Sequence, residues 1–260
     1  MPVAQAQRRA GPAARAVALA LVAAFAVWVW RVGATASDAD RQVVNVMAQA
    51  LIEGQVYSET DLLEIDRIMR TRRADNLCVP LDLRSEIMVR LALVEGQIRF
   101  GDAVAADRDL SATEQAIHRA LACDPNMSMA WIALAWAEFA RNDLTPRAAD
   151  FIRMSMVTGP NEAFSVVRRV QLLLDALPKM TDPALRDLLA AEVRVLMQAQ
   201  LNSVLAFNFV RVEDPERKFL EEIFATGSEA QQAGIAAEIW RSGENIDLPL
   251  APARGARPWN

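Results

Sequence analysis

Hydrophobic residues recur along most of this chain at intervals of three and four, the period of helices, and seldom at the interval of two that marks strands. From Leu83 to Phe100, Ile87, Leu91, Val94 and Ile98 fall on one helical face. "GDAVAADRDL" then reads as a break, and Ser111 with Glu114 as the box-like start of a helix that turns Ala116, Ile117, Ala120 and Leu121 inward. A helix carrying Trp131, Leu134, Ala135 and Phe139 follows, and its partner from Pro146 to about Val157 carries Ala148, Ile152 and Met156. Glu162–Leu177, Pro183 to about Leu201, Pro215–Phe224 and Glu229–Trp240 are helical by the same pattern. Upstream, "SDADRQVVNVMAQALIEGQ" predicts a short helix ending near Gly54, and Ser58 with Asp61 caps another that runs to about Arg73.

One stretch departs from this periodicity. Ala16 to Trp30 is fifteen uninterrupted apolar residues, preceded by "RRAGPAAR". A membrane-spanning helix needs about 20, a length reached over residues 13–36 if Arg15 and Arg31 snorkel at the ends. Two readings stand. Trp28 and Trp30 suit an interfacial aromatic belt and an uncleaved anchor, whereas Ala34-Thr35-Ala36 suits a cleavable export signal. In both, the basic N-terminus stays inside and the body is exported. The expected organisation is a cytoplasmic segment over 1–12, the anchor over 13–36, a helical linker over 37–79, a helical domain over 80–244 and an irregular tail over 245–260.

Composition supports helices: 53% hydrophobic but 6% aromatic residues, with only ten glycines. Prolines follow Asp or Thr at 125, 146, 183 and 215, where a capping oxygen precedes a residue whose missing N–H costs nothing. Four of the 28 basic residues and none of the 33 acidic ones precede Asp38, so 24 basic residues face 33 acidic ones thereafter, a balance of −9. An acidic body argues against nucleic acid as the main partner.

Pairs of amphipathic helices joined by short turns, each too small to bury its own face, predict an all-α chain in which an α-solenoid follows the transmembrane helix. With Trp131 as the large first-helix residue of a repeat, Leu134, Ala135, Ala148 and Ile152 fall on its remaining core positions and Pro125 ends the unit before. Over about residues 80–177 this resembles the tetratricopeptide superfamily, with one well-matched unit flanked by degenerate ones. "LACDP", "WIALAW" and "RMSMVTGPNEAF…RR" further resemble small single-pass tetratricopeptide-like proteins of Gram-negative bacteria encoded beside exopolysaccharide or O-antigen synthesis genes. The resemblance implies an inner-membrane protein with a periplasmic helical domain. It also implies protein partners in the membrane or periplasm, among them polysaccharide polymerase or export components.

Chemistry-bearing motifs are sparse. The single histidine, His118, lies on a helix among apolar neighbours, and neither an H-E-x-x-H, a G-x-S-x-G elbow nor a phosphate-cradling glycine loop is present. Glu221-Glu222 and Asp107/Asp109 read as solvated charges. The sequence thus points to no catalytic, cofactor-binding or metal-ligating set, and binding is the expected mode of action. A membrane-complex subunit acting through its anchor and a polysaccharide hydrolase with carboxylates hidden from sequence remain as competing classes.

Cys78 and Cys123 bound a predicted hairpin at the same end, in a compartment that oxidises thiols, which allows a disulfide or two buried thiols. Trp131 and Trp136 lie five residues apart and so about 140° around a helix, which leaves two readings: one faces the core and the other is a candidate anchor for a partner, or both pack between adjacent helices. Residues of the first helix in each pair line the concave face of a solenoid. This makes Arg90, Gln97, Glu138, Arg168 and Arg169 candidates for a binding surface beside Trp136 or, equally, ordinary solvated side chains.

Overall fold

The structure, a computed structural model, describes residues 12–52, 55, 57–71 and 78–251. Those residues form eleven α-helices and a short 3-10 turn, with no strand among them. The helices are α1 (Pro12–Ile52), α2 (Glu59–Thr71), α3 (Pro80–Phe100), α4 (Ala103–Cys123), α5 (Ser128–Asn142), α6 (Pro146–Thr158), α7 (Ala163–Ala176), α8 (Pro183–Gln198), α9 (Asn202–Arg211), α10 (Asp214–Phe224) and α11 (Glu229–Arg241). The chain divides into two compact units, Met1–Asn76 and Leu77–Asn260.

In the first unit the segment expected as an anchor and the short helix expected after it form one helix of 41 residues. Nothing between Ala34 and Asp38 stops a helix, and Gly33 alone costs about 1 kcal/mol relative to Ala, too little to break one. Side chains are described for Leu19–Trp28 of the apolar stretch, and all ten are exposed, Leu19 by 71% and Phe25 by 64%. Among the described residues no helix is long and apolar enough to cross a membrane. The expected segment 1–12 lies outside the described residues except for Pro12, as do the side chains of the Ala34-Thr35-Ala36 site. Before α2, Ser58 and Asp61 bond reciprocally, each backbone N–H donating to the other's side-chain oxygen at 3.3 Å.

In the second unit consecutive helices pack as hairpins, α3 with α4, α5 with α6 and α7 with α8, while α3, α5 and α7 also touch in series and α4 touches α5. Beyond them α8 packs on α9 and α10, and α9 on α11. A continuous core runs from Ile132 and Ala135 in α5 through Val170 and Leu173, Leu189 and Val193, and Phe209 and Phe224 to Ile239 and Leu248.

Two expectations fail here. The break before Ser111 is a two-residue turn. Gly101, at φ +80°, takes the left-handed conformation that glycine allows, and the Asp102 carboxylate accepts the Ala105 N–H at 2.9 Å, so α4 starts at Ala103. Ser111 and Glu114 are mid-helix and instead hold Arg141 of α5. Helix α9 fills a stretch in which no helix was expected. Its Leu205, Ala206 and Phe209 are buried, and Asn202 at its start lies so close to Gly234 of α11 that a Cβ there would come within 2.5 Å of the Asn202 amide nitrogen.

Candidate functional site

The first helices of the successive pairs build a groove. Helix α5 contributes Met129, Ile132, Ala133 and Trp136, spaced i, i+3, i+4 and i+7 as one helical face requires. Arg168, Gln171, Leu172 and Asp175 repeat that spacing on α7. Leu91, Glu95 and Arg99 of α3 lie four residues apart, as do Phe207 and Arg211 of α9. Together with Phe164 they enclose a cavity of about 340 Å³. Its floor is apolar, and Phe207 stands 56% exposed at one end.

Two ion pairs belong to the same lining. Glu95 of α3 reaches Arg168 of α7 at 3.1 Å, so two helices that flank α5 are joined across it, and the Arg168 guanidinium also lies 5.5 Å from the Phe164 ring centroid. Asp175 meets Arg211 of α9 at 2.6 Å. Both pairs are about one-third exposed, so each contributes on the order of 0–1 kcal/mol and can exchange partners at low cost. Arg99, Gln171 and the half-buried Trp136 indole have no hydrogen-bond or ion-pair partner among the described residues.

The orientation of α7 is set beneath the groove. Arg169 is fully buried, and its Nη1 donates to the Ser155 carbonyl at 3.1 Å, the Ser155 hydroxyl at 3.0 Å and the Gly159 carbonyl at 3.3 Å. Nη2 pairs with Glu192 of α8 at 3.1 Å, and the Ser128 hydroxyl of α5 donates to the Ser155 carbonyl at 2.8 Å. Burial pushes the Glu192 carboxyl above its ordinary value, and the Arg169 charge and hydrogen bond pull it part of the way back. One guanidinium thus ties the end of α6 to α7 and α8, with Ser128 of α5 alongside. Close packing completes the node: a Cβ on Gly159 would lie 2.5 Å from the Ser128 Cβ.

The structure brings two of the six candidate binding residues, Trp136 and Arg168, into the groove. Arg90 pairs with Glu86 one turn earlier at 2.9 Å, and Gln97 donates to Asp109 of α4. Asp109, read from sequence as solvated, is buried and takes Arg108 as a second donor. Glu138 accepts from Asn142 at 3.2 Å and Thr145 at 3.1 Å, bracing the α5–α6 turn, and Arg169 is internal. Of the repeat core, Leu134, Ala135, Ala148 and Ile152 are buried. Trp131 is only half-buried, its ring nitrogen donating to the Pro125 carbonyl at 2.8 Å and its ring tilted against Phe151 at 6.0 Å between centroids.

Cys78 and Cys123 form a disulfide across a 5.5 Å Cα–Cα gap, closing the open end of the α3–α4 hairpin. His118 is exposed, and among the described residues no three His, Cys, Asp or Glu side chains gather as a metal site. Sequence reasoning missed Glu95, Arg99, Gln171, Asp175, Phe207 and Arg211. Spacings of i+3 and i+7 from Arg168 and of i+4 and i+8 from Leu91 were the available signal for the first four, and no sequence signal pointed to Phe207 or Arg211. Compared with protein-family models, characterised proteins and solved structures, the chain matches none.

Proposed function

We propose that the chain is a membrane-tethered scaffold of tetratricopeptide-like helix pairs that acts by holding a protein partner in its groove. The observation that carries this reading is the convergence of α3, α5, α7 and α9 on one cavity whose charged rim is weakly held and whose indole and amide groups are unspent. The serial contacts of α3, α5 and α7 support a repeat-like stacking. Tethering is supported by the exposed apolar residues of α1. Leu19, Leu21, Val22, Phe25, Val27 and Trp28 point around the whole helix, which suits lipid on every side better than one protein face. Export of the acidic body follows from the arginines that precede it. A role in envelope polysaccharide assembly rests on the resemblance of "LACDP", "WIALAW" and "RMSMVTGPNEAF" to proteins of that setting.

A photoreactive amino acid replacing Gln171 should, on irradiation in cells, crosslink to a membrane or exported protein. The same group at His118, exposed but outside the groove, should not. Equal capture at both positions, or none at Gln171, would refute the reading. The encircling apolar surface of α1 favours one alternative, a subunit that acts through this helix. Exchange of residues 13–36 for an unrelated anchor should leave function intact in a scaffold and abolish it in such a subunit.

A further inference from the structure

Resting on the groove reading above, we infer that the occupant is an acidic, extended peptide segment with a large apolar side chain, the apolar group filling the cavity and its carboxylates meeting Arg99 and the rim. Both of the groove's carboxylates, Glu95 and Asp175, are engaged by arginines of the groove itself. The groups without partners among the described residues are the Arg99 guanidinium, the Trp136 indole N–H and the Gln171 amide. Two of these are donors only, and the third both donates and accepts. A ligand that satisfies them supplies acceptors, and one that balances Arg99 supplies negative charge. Three arginines against two acids give the groove a positive balance on a body whose overall charge is negative, so an acidic segment is drawn to this face in particular.

Size and shape select a peptide. A cavity of about 340 Å³ sits at the small end of ligand pockets, which run from roughly 300 to 1,000 Å³, and its floor of Leu91, Met129, Ile132 and Leu172 suits an apolar side chain. Four helices at roughly 8–10 Å spacing make the groove about 24–30 Å across, the span of about seven to nine extended residues. The Glu95–Arg168 pair bridges α3 and α7 within the lining of the groove. A carboxylate of the peptide replaces Glu95 on Arg168 and so exchanges one exposed ion pair for another, which keeps the cost of opening small.

The test is fluorescence anisotropy of the full chain in neutral detergent with labelled peptides of that length, each carrying a central Phe flanked by Asp and Glu or by Lys. The acidic peptide should bind and the Lys-flanked one should bind at least about fivefold more weakly, with Arg99→Glu narrowing or reversing the difference. Replacement of the central Phe by Ser should weaken binding of the acidic peptide, and Trp136→Ala should do the same. Because Arg99 is exposed, its reversal leaves the fold intact, and urea unfolding of the variant checks this directly. Equal binding of both peptides, or no response to Arg99→Glu, would overturn the inference. Displacement of the acidic peptide by phosphatidylglycerol added to the micelles, but not by phosphatidylcholine, would overturn it in favour of a lipid headgroup. Capture of a protein at Gln171 alongside any of these failures would leave the scaffold standing with a partner of different chemistry.

Discussion

Arg169→Met removes the guanidinium at the centre of the node and leaves a flexible apolar stem in its place. Glu192, only 3% exposed, then has no counter-ion, and the Ser155 hydroxyl and carbonyl and the Gly159 carbonyl lose a charged donor. Breaking a buried pair from one side costs about 3–5 kcal/mol, most of it the penalty on the charge left behind. Glu192→Leu orphans Arg169 instead and should cost a similar amount. The double variant orphans no charge, and the two carbonyls keep partners in it. Ser155 still accepts the Gly159 N–H at 3.1 Å and the Ser128 hydroxyl at 2.8 Å, and Gly159 still accepts the Glu162 N–H at 3.4 Å. With only weakened hydrogen bonding to lose, the double variant should be about 1–3 kcal/mol less stable than the parent, against a sum of about 6–10 for the singles. The coupling is therefore at least about 3 kcal/mol, readable from urea unfolding of the four full-length proteins in mild detergent.

The same variants carry a pH signature. Burial raises the Glu192 carboxyl above the ordinary 4.5, so the folded state binds that proton more tightly than the unfolded one. Stability from this group is present below the ordinary value and is lost as pH rises through the folded value. Arg169→Met deletes the charge and hydrogen bond that pull the value down, so its stability should fall more steeply than the parent's as pH rises above the ordinary carboxyl value. Additive single losses, or a variant whose deficit shrinks as pH rises, would refute the assignment of the node as a buried, charge-coupled pair.

Thiol labelling of the unfolded, unreduced chain should find neither Cys78 nor Cys123 free, and Cys123→Ser should lower stability by about 4 kcal/mol, the chain-entropy value for a closed loop of this length. Trp131→Ala should cost about 2 kcal/mol, below the 3–5 of a fully buried ring, because the ring is already partly exposed and the Pro125 carbonyl can turn to water. Thermal unfolding measures this, and peptide binding should be retained by that variant. Gly159→Ala should cost on the order of 1–3 kcal/mol, since the new methyl meets the Ser128 Cβ, which is backbone-fixed and cannot swing aside. Full stability of that variant would show that α5 and α6 are more loosely joined than the contact implies.

The helices were legible wherever an apolar stripe and a cap coincided. Pro146 after Thr145, Pro183 after Asp182 and Ser58 with Asp61 set real helix starts, because capping chemistry is local and needs no tertiary partner. Ser111 with Glu114 carries the same signature mid-helix, where both groups serve Arg141 of the next pair. A cap and a tertiary anchor use the same residue types, and only position along the folded helix separates them. Helix α9 escaped because it is ten residues long and begins after Leu201 with no capping side chain. The disulfide could be placed from topology, since a hairpin brings its two outer ends together whatever its sequence.

Arg168 and Arg169 show where such legibility stops. They are adjacent, chemically identical and equally plausible as solvated charges, yet the turn of about 100° between neighbours sends one into the groove and the other into the core. What separates them is their surroundings: Ser155, Gly159 and Glu192, 14, 10 and 23 residues away, receive Arg169, whereas Glu95, 73 residues away, receives Arg168. The buried arginine has a consequence for the exposed one. By holding α7 to α6 and α8 it fixes the rotation of α7, and that rotation places Arg168, Gln171, Leu172 and Asp175 on the groove side together. A variant that loosens the node, such as Arg169→Met with Glu192→Leu, should therefore weaken peptide binding without altering a single groove residue. The effect should be reduced affinity with unchanged preference for acidic flanks, because the groove's charges remain while their alignment degrades. A double variant that binds as tightly as the parent would show that the groove residues are held by their own packing and not by the node beneath them.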